Sequence, residues 1–230
     1  MKEENVLDHF KRDTRNHSMS VDSDNGVFRH LHFSRGGSSC YHFTLTTWPG
    51  HLCIGGDMGT YVFRRLHDMF DFFRMDHRDY QRHGDDPVIN IGYWAEKLQM
   101  GCGYSREIFT EWSSDAFEVR AQEFYDDWLE GIEEDDGITD EIKAEELACI
   151  NELKRGSYSE WEAGTAYQEF SSENIDLSDF WEDSCRRVTN GFIWCLFAIV
   201  WGIQQYDTSK LVSSAMSKFF LHSMEVGDAN

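Results

Sequence analysis

Only two prolines, Pro49 and Pro87, interrupt the 230 residues. A chain so poor in proline holds no Pro-rich linker, and no internal repeat divides it. Its six cysteines (Cys40, Cys53, Cys102, Cys149, Cys185, Cys195) are scattered, with no Cys-x-x-Cys pair. That pattern suits free thiols better than a zinc site or a disulfide frame. Basic residues are scarce: 21 Lys and Arg face 42 Asp and Glu, for a net charge of −21. A phosphate backbone is repelled by such a surface, so direct nucleic-acid binding is not expected, although Arg64, Arg65, Arg74, Arg78 and Arg82 leave a local basic patch open. The sequence also lacks a nucleophile elbow, a Walker loop, a paired-histidine metal helix and a dinucleotide fingerprint. No catalytic residue, cofactor or metal ligand is therefore assigned, and an enzyme is not the expectation.

Long apolar runs are missing too, with one exception. From Phe192 to Ile203 no side chain is polar. That run spans about 18 Å as a helix, well short of the ~30 Å of a bilayer core. A helix apolar on every side must be covered on every side. The expectation is a buried central helix over 188–206, not a membrane span. The first residues, Met1-Lys2-Glu3-Glu4, are charged and do not read as a secretory signal. With 40% hydrophobic and 15% aromatic residues, the chain has the material for a substantial core.

Along the chain, Val6, Leu7 and Phe10 mark a short amphipathic helix over 3–17. Asp22-Ser23-Asp24-Asn25-Gly26 has a calcium-loop look, but the glycine falls one place early and no twelfth-position Glu follows, so a hairpin turn is preferred. Four alternating stretches follow, at 27–33, 41–46, 52–54 and 60–64, and predict an antiparallel sheet with one covered face. His30 and His32 share a strand face near His42. No carboxylate or cysteine stands at matching spacing, which favours a polar outer face over a metal site. Gly55-Gly56-Asp57-Met58-Gly59-Thr60 reads as a tight hairpin rather than a phosphate loop. Leu66, Met69, Phe70 and Phe73 predict a covering helix. Residues 77–86 read as a polar loop, and Tyr93–Leu98 as a short helix closed by Gly101-Cys102-Gly103, with Ser105 capping the next helix.

Charge is distributed unevenly. Residues 1–110 carry a net −2, residues 111–183 a net −20, and residues 184–230 a net +1. In the acidic third, Phe117, Ala121, Phe124 and Trp128 recur as a core-facing stripe. Off that stripe stand Asp115, Glu118, Glu123, Asp126, Asp127 and Glu130, followed by Glu133, Glu134, Asp135 and Asp136 before Gly137. Thr139 can cap a second helix, with Ile142, Cys149, Ile150 and Leu153 inward and Glu141, Glu145 and Glu152 outward. Ser157 and Glu160 have capping-box spacing for a third helix through Phe170. Thr208 can cap a last one carrying Leu211, Val212, Met216 and Phe219.

Thr47-Trp48-Pro49-Gly50, Gly56-Asp57-Met58-Gly59-Thr60-Tyr61-Val62-Phe63, Asp68-Met69-Phe70-Asp71-Phe72-Phe73, Tyr93-Trp94-Ala95-Glu96-Lys97, Phe192-Ile193-Trp194-Cys195 and Trp201-Gly202-Ile203-Gln204-Gln205-Tyr206-Asp207 resemble a family encoded by tailed bacteriophages and prophages. The resemblance covers roughly residues 26–100 and 180–207 and leaves out the acidic middle. It carries no catalytic residue with it. It implies a small accessory phage protein working in bacterial cytoplasm.

The fold expected is α+β: an N-terminal antiparallel sheet of about four strands with a covering helix (1–104), then a helical region with an acidic surface (105–230), sharing one core. Rows of carboxylates on packed helices imitate the charge of a phosphate backbone. The function expected is binding and inhibition of a host nucleic-acid-binding defence protein, such as a restriction or guide-RNA complex. Asp115, Glu118, Glu123, Asp126, Asp127, Glu130, Glu133, Glu134, Asp135, Asp136, Glu141 and Glu145 are the partner-binding residues. Homodimerisation stays open. Two alternatives stand beside this: a sponge for a small nucleotide signal, using Tyr41, Trp48, Tyr61 and nearby histidines, and an acidic face that only solvates the protein.

Overall fold

The computed structural model describes residues 3–103, 108–133 and 137–227. Its elements, in chain order, are α1 (Glu3–Thr14), β1 (Ser18–Asn25), β2 (Phe28–Ser34), β3 (Phe43–Trp48), β4 (His51–Gly56), β5 (Gly59–Arg64), α2 (Met69–Phe73), α3 (His77–His83), α4 (Ile91–Ala95), β6 (Leu98–Gly103), β7 (Thr110–Trp112), α5 (Ser114–Glu130), α6 (Asp140–Arg155), α7 (Glu160–Glu169), β8 (Arg186–Val188) and α8 (Asn190–Gly227). The fold is α+β. Two compact units divide the chain: residues 1–109 with 189–230, and residues 110–188. The apolar helix thus belongs to the same compact unit as the sheet.

The first unit is a six-stranded antiparallel meander in the order β1-β2-β3-β4-β5-β6. Alternation in the sequence sets its covered face: Leu31, Phe33, Phe43, Leu45, Leu52, Ile54, Tyr61 and Phe63 are all fully buried. Helix α8 lies across that face, and every residue from Phe192 to Val200 is buried. Phe192 meets Tyr61 edge-on at 5.0 Å, while Trp201 lies 5.7 Å from Phe33 and Trp194 lies 5.8 Å from Phe43. Burying each such side chain stabilises the fold by about 1.5–3 kcal/mol, which is why an all-round apolar helix holds this position. A Cβ added at Gly202 would stand 2.7 Å from Leu45 Cδ1 and 3.1 Å from Phe33 Cζ, so the bare glycine lets helix and sheet approach. Thr189 caps α8, its Oγ1 accepting the Phe192 amide at 3.2 Å.

Two strands beyond the expected four complete the sheet. β1 is exposed along most of its length and sits at an edge, joined to β2 across a turn at Gly26. β6 pairs with β5 where Gly101 lies under the Tyr61 ring. A further correction concerns residues 77–83: they form α3, with Asp76 accepting from the Arg78 and Asp79 amides and Asp79 accepting from the Asp76 amide. α2 starts at Met69 because Asp68 caps it through the Phe70 amide, leaving Leu66 exposed. The helix near residue 93 ends at Ala95, and Leu98 already belongs to β6. Thr208 begins no new helix, since α8 runs unbroken for 38 residues. Ser105 lies outside the described residues. Among the described residues, no helix is long and apolar enough to cross a membrane.

The second unit packs α5, α6 and α7 around Phe117, Ala121, Tyr125, Ile150, Leu153, Ala163 and Phe180, with the short β7–β8 ribbon beside them. Thr139 caps α6 as its position suggests. α7 is capped by Ser159, whose Oγ accepts the Glu162 amide at 3.2 Å, not by Ser157. Ser157 is engaged elsewhere: its hydroxyl donates to Glu118 at 2.6 Å, and its carbonyl accepts from Trp112 Nε1 and Ser114 Oγ.

Candidate functional site

Helix α5 turns Phe117, Ala121 and Tyr125 inward. At 3.6 residues per turn, Asp115, Glu123, Asp126, Asp127 and Glu130 then fall within about a third of the circumference, away from the buried stripe, while Glu118 borders the stripe and accepts from Ser157. All six are exposed, as is Glu133 just beyond the helix. On α6 the same logic buries Ile150 and Leu153 and exposes Glu141, Glu145 and Glu152. The expected partner-binding residues Glu134, Asp135 and Asp136 lie outside the described residues. The others all belong to one compact unit.

Residues 110–188 hold 24 acidic and six basic residues, a net −18; the other unit carries a net −3. The few cations of the acidic unit are already engaged. Arg120 pairs with Glu123, Lys143 with Asp140, Arg155 with Glu152, Arg186 with Glu160 and Arg187 with Glu111. Lys154 donates to the Gln122 side-chain oxygen instead. Asp115, Asp126, Asp127, Glu130, Glu141 and Glu145 have no lysine or arginine among the described residues within ion-pair distance. Carboxylates three or four places apart on a helix are only about 5–6 Å apart at Cβ, so this face repels itself. Chemically it can do one thing well, which is attract cations.

One acid departs from this pattern. Glu146 is 5% exposed, and its oxygens accept from Ser172 Oγ at 2.5 Å and Asn174 Nδ2 at 2.6 Å. Neutral donors hold it, fastening the 172–175 loop to α6. The sequence reading also missed two surface aromatics. Tyr158 and Trp161 are 84% and 78% exposed, the most exposed large apolar side chains among the described residues. Both belong to the acidic unit.

The groups considered for other chemistry are occupied. His30 Nδ1 bonds to Thr46 Oγ1 at 2.7 Å, and His42 Nδ1 to the Ser39 carbonyl at 2.7 Å. Among the described residues, no three His, Cys, Asp or Glu side chains are grouped to hold a metal ion. Tyr61 is wholly buried, Tyr41 stacks on Trp194 and Trp48 stacks on His51, so these three aromatics do not line one open pocket.

The stretches at 47–50, 56–63, 68–73, 93–97, 192–195 and 201–207 all fall in the first unit, and several of them join one another there. Asp68 receives both terminal nitrogens of Arg29, at 2.8 and 2.9 Å. The Arg29 guanidinium lies over Phe70, 4.5 Å from its centroid, and 5.5 Å from that of Tyr206. The Tyr206 hydroxyl donates to Asp24 at 2.9 Å, and Lys210 pairs with the same carboxylate. Arg74 ties Asp71 to Asp207. Burial alone would raise the Asp68 carboxyl, but the Arg29 guanidinium and the Phe70 amide outweigh it and hold the group below the usual carboxylate range. Lys210, with help from Tyr206, depresses Asp24 likewise. This network fastens elements of the first unit together. No protein-family model, curated protein or solved structure matches the chain.

Proposed function

We propose that this is a phage-encoded accessory protein that binds and inhibits a nucleic-acid-binding defence protein of the bacterial host, acting in the cytoplasm with its acidic helices in place of a phosphate backbone. The observation that carries this reading is the confinement of charge. Six exposed carboxylates on α5, together with Glu141 and Glu145 on α6, belong to a unit of net −18, while the unit bearing the phage-like motifs is close to neutral. A solvating surface is ordinarily built with both signs interspersed, whereas here one sign is segregated. A protein with a cationic groove for DNA or RNA is steered to such a face by long-range attraction.

The test is phage plating on bacteria protected by a restriction or guide-RNA system. Wild-type protein restores plaques. Glu123→Lys, Asp127→Lys and Glu130→Lys together abolish the rescue while leaving the circular dichroism spectrum unchanged. Rescue that survives the triple reversal contradicts the reading and leaves the carboxylates a solvating role.

A further inference from the structure

A cleft opens in the acidic unit between the last turns of α6 and helix α7. Its floor is apolar, made by Leu153, Ala166 and Phe170. Its wall carries Glu162 and Glu169, seven residues apart and so on one face of α7, and Trp161 stands at its mouth. The one basic residue on the rim, Arg155, is already paired with Glu152. We infer that this cleft is the anchor point of the acidic surface, and that its occupant is a lysine or arginine side chain of a basic protein segment.

Three features select that occupant. The apolar floor suits the methylene stem of a long cationic side chain, which buries its stem while its head stays among polar groups. Glu162 and Glu169 supply opposite charge for the head, and an anion is excluded by the same carboxylates. Trp161 offers the aromatic face that most favours an ammonium or guanidinium group. Exposed tryptophans and tyrosines are also the residues that dominate binding at interfaces, and Tyr158 stands three places before Trp161. A carboxylate surface alone attracts any polycation; a pocket with an aromatic lip fixes where the partner's side chain sits. The inference deepens the reading of the acidic face given above and names the partner's contacting chemistry.

The probe is an amidated tri-arginine peptide, with tri-lysine beside it and tri-glutamate as control, titrated into the full chain at low salt. The readout is the NMR signal of the Trp161 indole N–H, identified by its loss in Trp161→Phe. The expected result is a saturable shift of that signal with the two basic peptides and none with tri-glutamate. Trp161→Ala should weaken binding at least fivefold, and Glu162→Gln with Glu169→Gln should weaken it and flatten its salt dependence. Trp161 is largely exposed, so these variants should keep the wild-type dispersion of amide signals, which the same spectra check. A Trp161 signal that stays still while the peptides bind elsewhere overturns the proposal, as does wild-type affinity in Trp161→Ala. If that outcome accompanies lost binding in the α5 triple reversal, the cleft falls and the acidic face stands. If Trp161→Ala loses the peptide and the α5 reversal keeps it, the cleft stands and α5 is not the contact.

Discussion

Arg29 faces the covered side of the sheet, between the faces of Phe70 and Tyr206, and Asp68 pairs with it there. Asp68 is 22% exposed and Arg29 9%, so removing the carboxylate strands a charge that is mostly out of water, a cost of about 1–3 kcal/mol. Asp68→Ala should therefore lower the unfolding free energy by that amount in urea, whereas truncating an exposed acid such as Asp115 should change it by less than about 0.5 kcal/mol. The same network sets an acid limit. Asp68 and Asp24 have folded-state pKa values below the ordinary range. Their contribution is thus fully present above the unfolded carboxylate pKa of about 3.9 and is lost as pH falls through their lower folded values. Acid unfolding of the first unit, followed by tryptophan fluorescence, should begin below about pH 4 and start at higher pH in Lys210→Met, which releases Asp24 from its cation. Glu146 is the corresponding residue of the acidic unit. Glu146→Ala should cost about 1–3 kcal/mol by orphaning Ser172 and Asn174, and Glu146→Gln, which keeps an acceptor, should cost less.

Among the elements, two helical glycines separate packing from propensity. Gly164, inside α7, has open space where a Cβ would go, so Gly164→Ala should stabilise by about 0.5–1 kcal/mol. Gly202 lies against Leu45 and Phe33. There the alanine's propensity gain of about 1 kcal/mol is outweighed by about 1–3 kcal/mol of overpacking, and urea midpoints should move in opposite directions for the two variants. The elements readable from the sequence are those whose burial leaves a period: the four central strands, the stripes of α5 and α6, and the apolar run of α8. Those that escaped reading lack one. β1 is mostly exposed and is held by backbone pairing, β6 carries Gly101 under the Tyr61 ring, and α3 buries no residue and rests on its capping box. Ser157 and Ser159 each precede a Glu by three places, so local pattern alone could not rank them. Tertiary contacts from Trp112, Ser114 and Glu118 claim Ser157 and leave Ser159 to cap. The acids of the candidate surface were legible as composition. Trp161 was not, because an aromatic at helical spacing reads as core until its exposure is seen.

For the whole molecule, the organising fact is that two compact units of one chain differ by 15 charges, −18 against −3. Self-repulsion in the acidic unit opposes its folding and is screened over about 8–10 Å at physiological ionic strength. Its thermal midpoint should therefore rise with added salt, and Glu123→Lys, Asp127→Lys and Glu130→Lys should reduce that rise. The most direct test retains proteins from a bacterial lysate on the tagged full chain. The predicted result is a nucleic-acid-binding protein held at low salt, released by high salt and by added DNA or RNA, and absent with the triple reversal. A bound protein indifferent to salt, to nucleic acid and to the reversal would contradict the account.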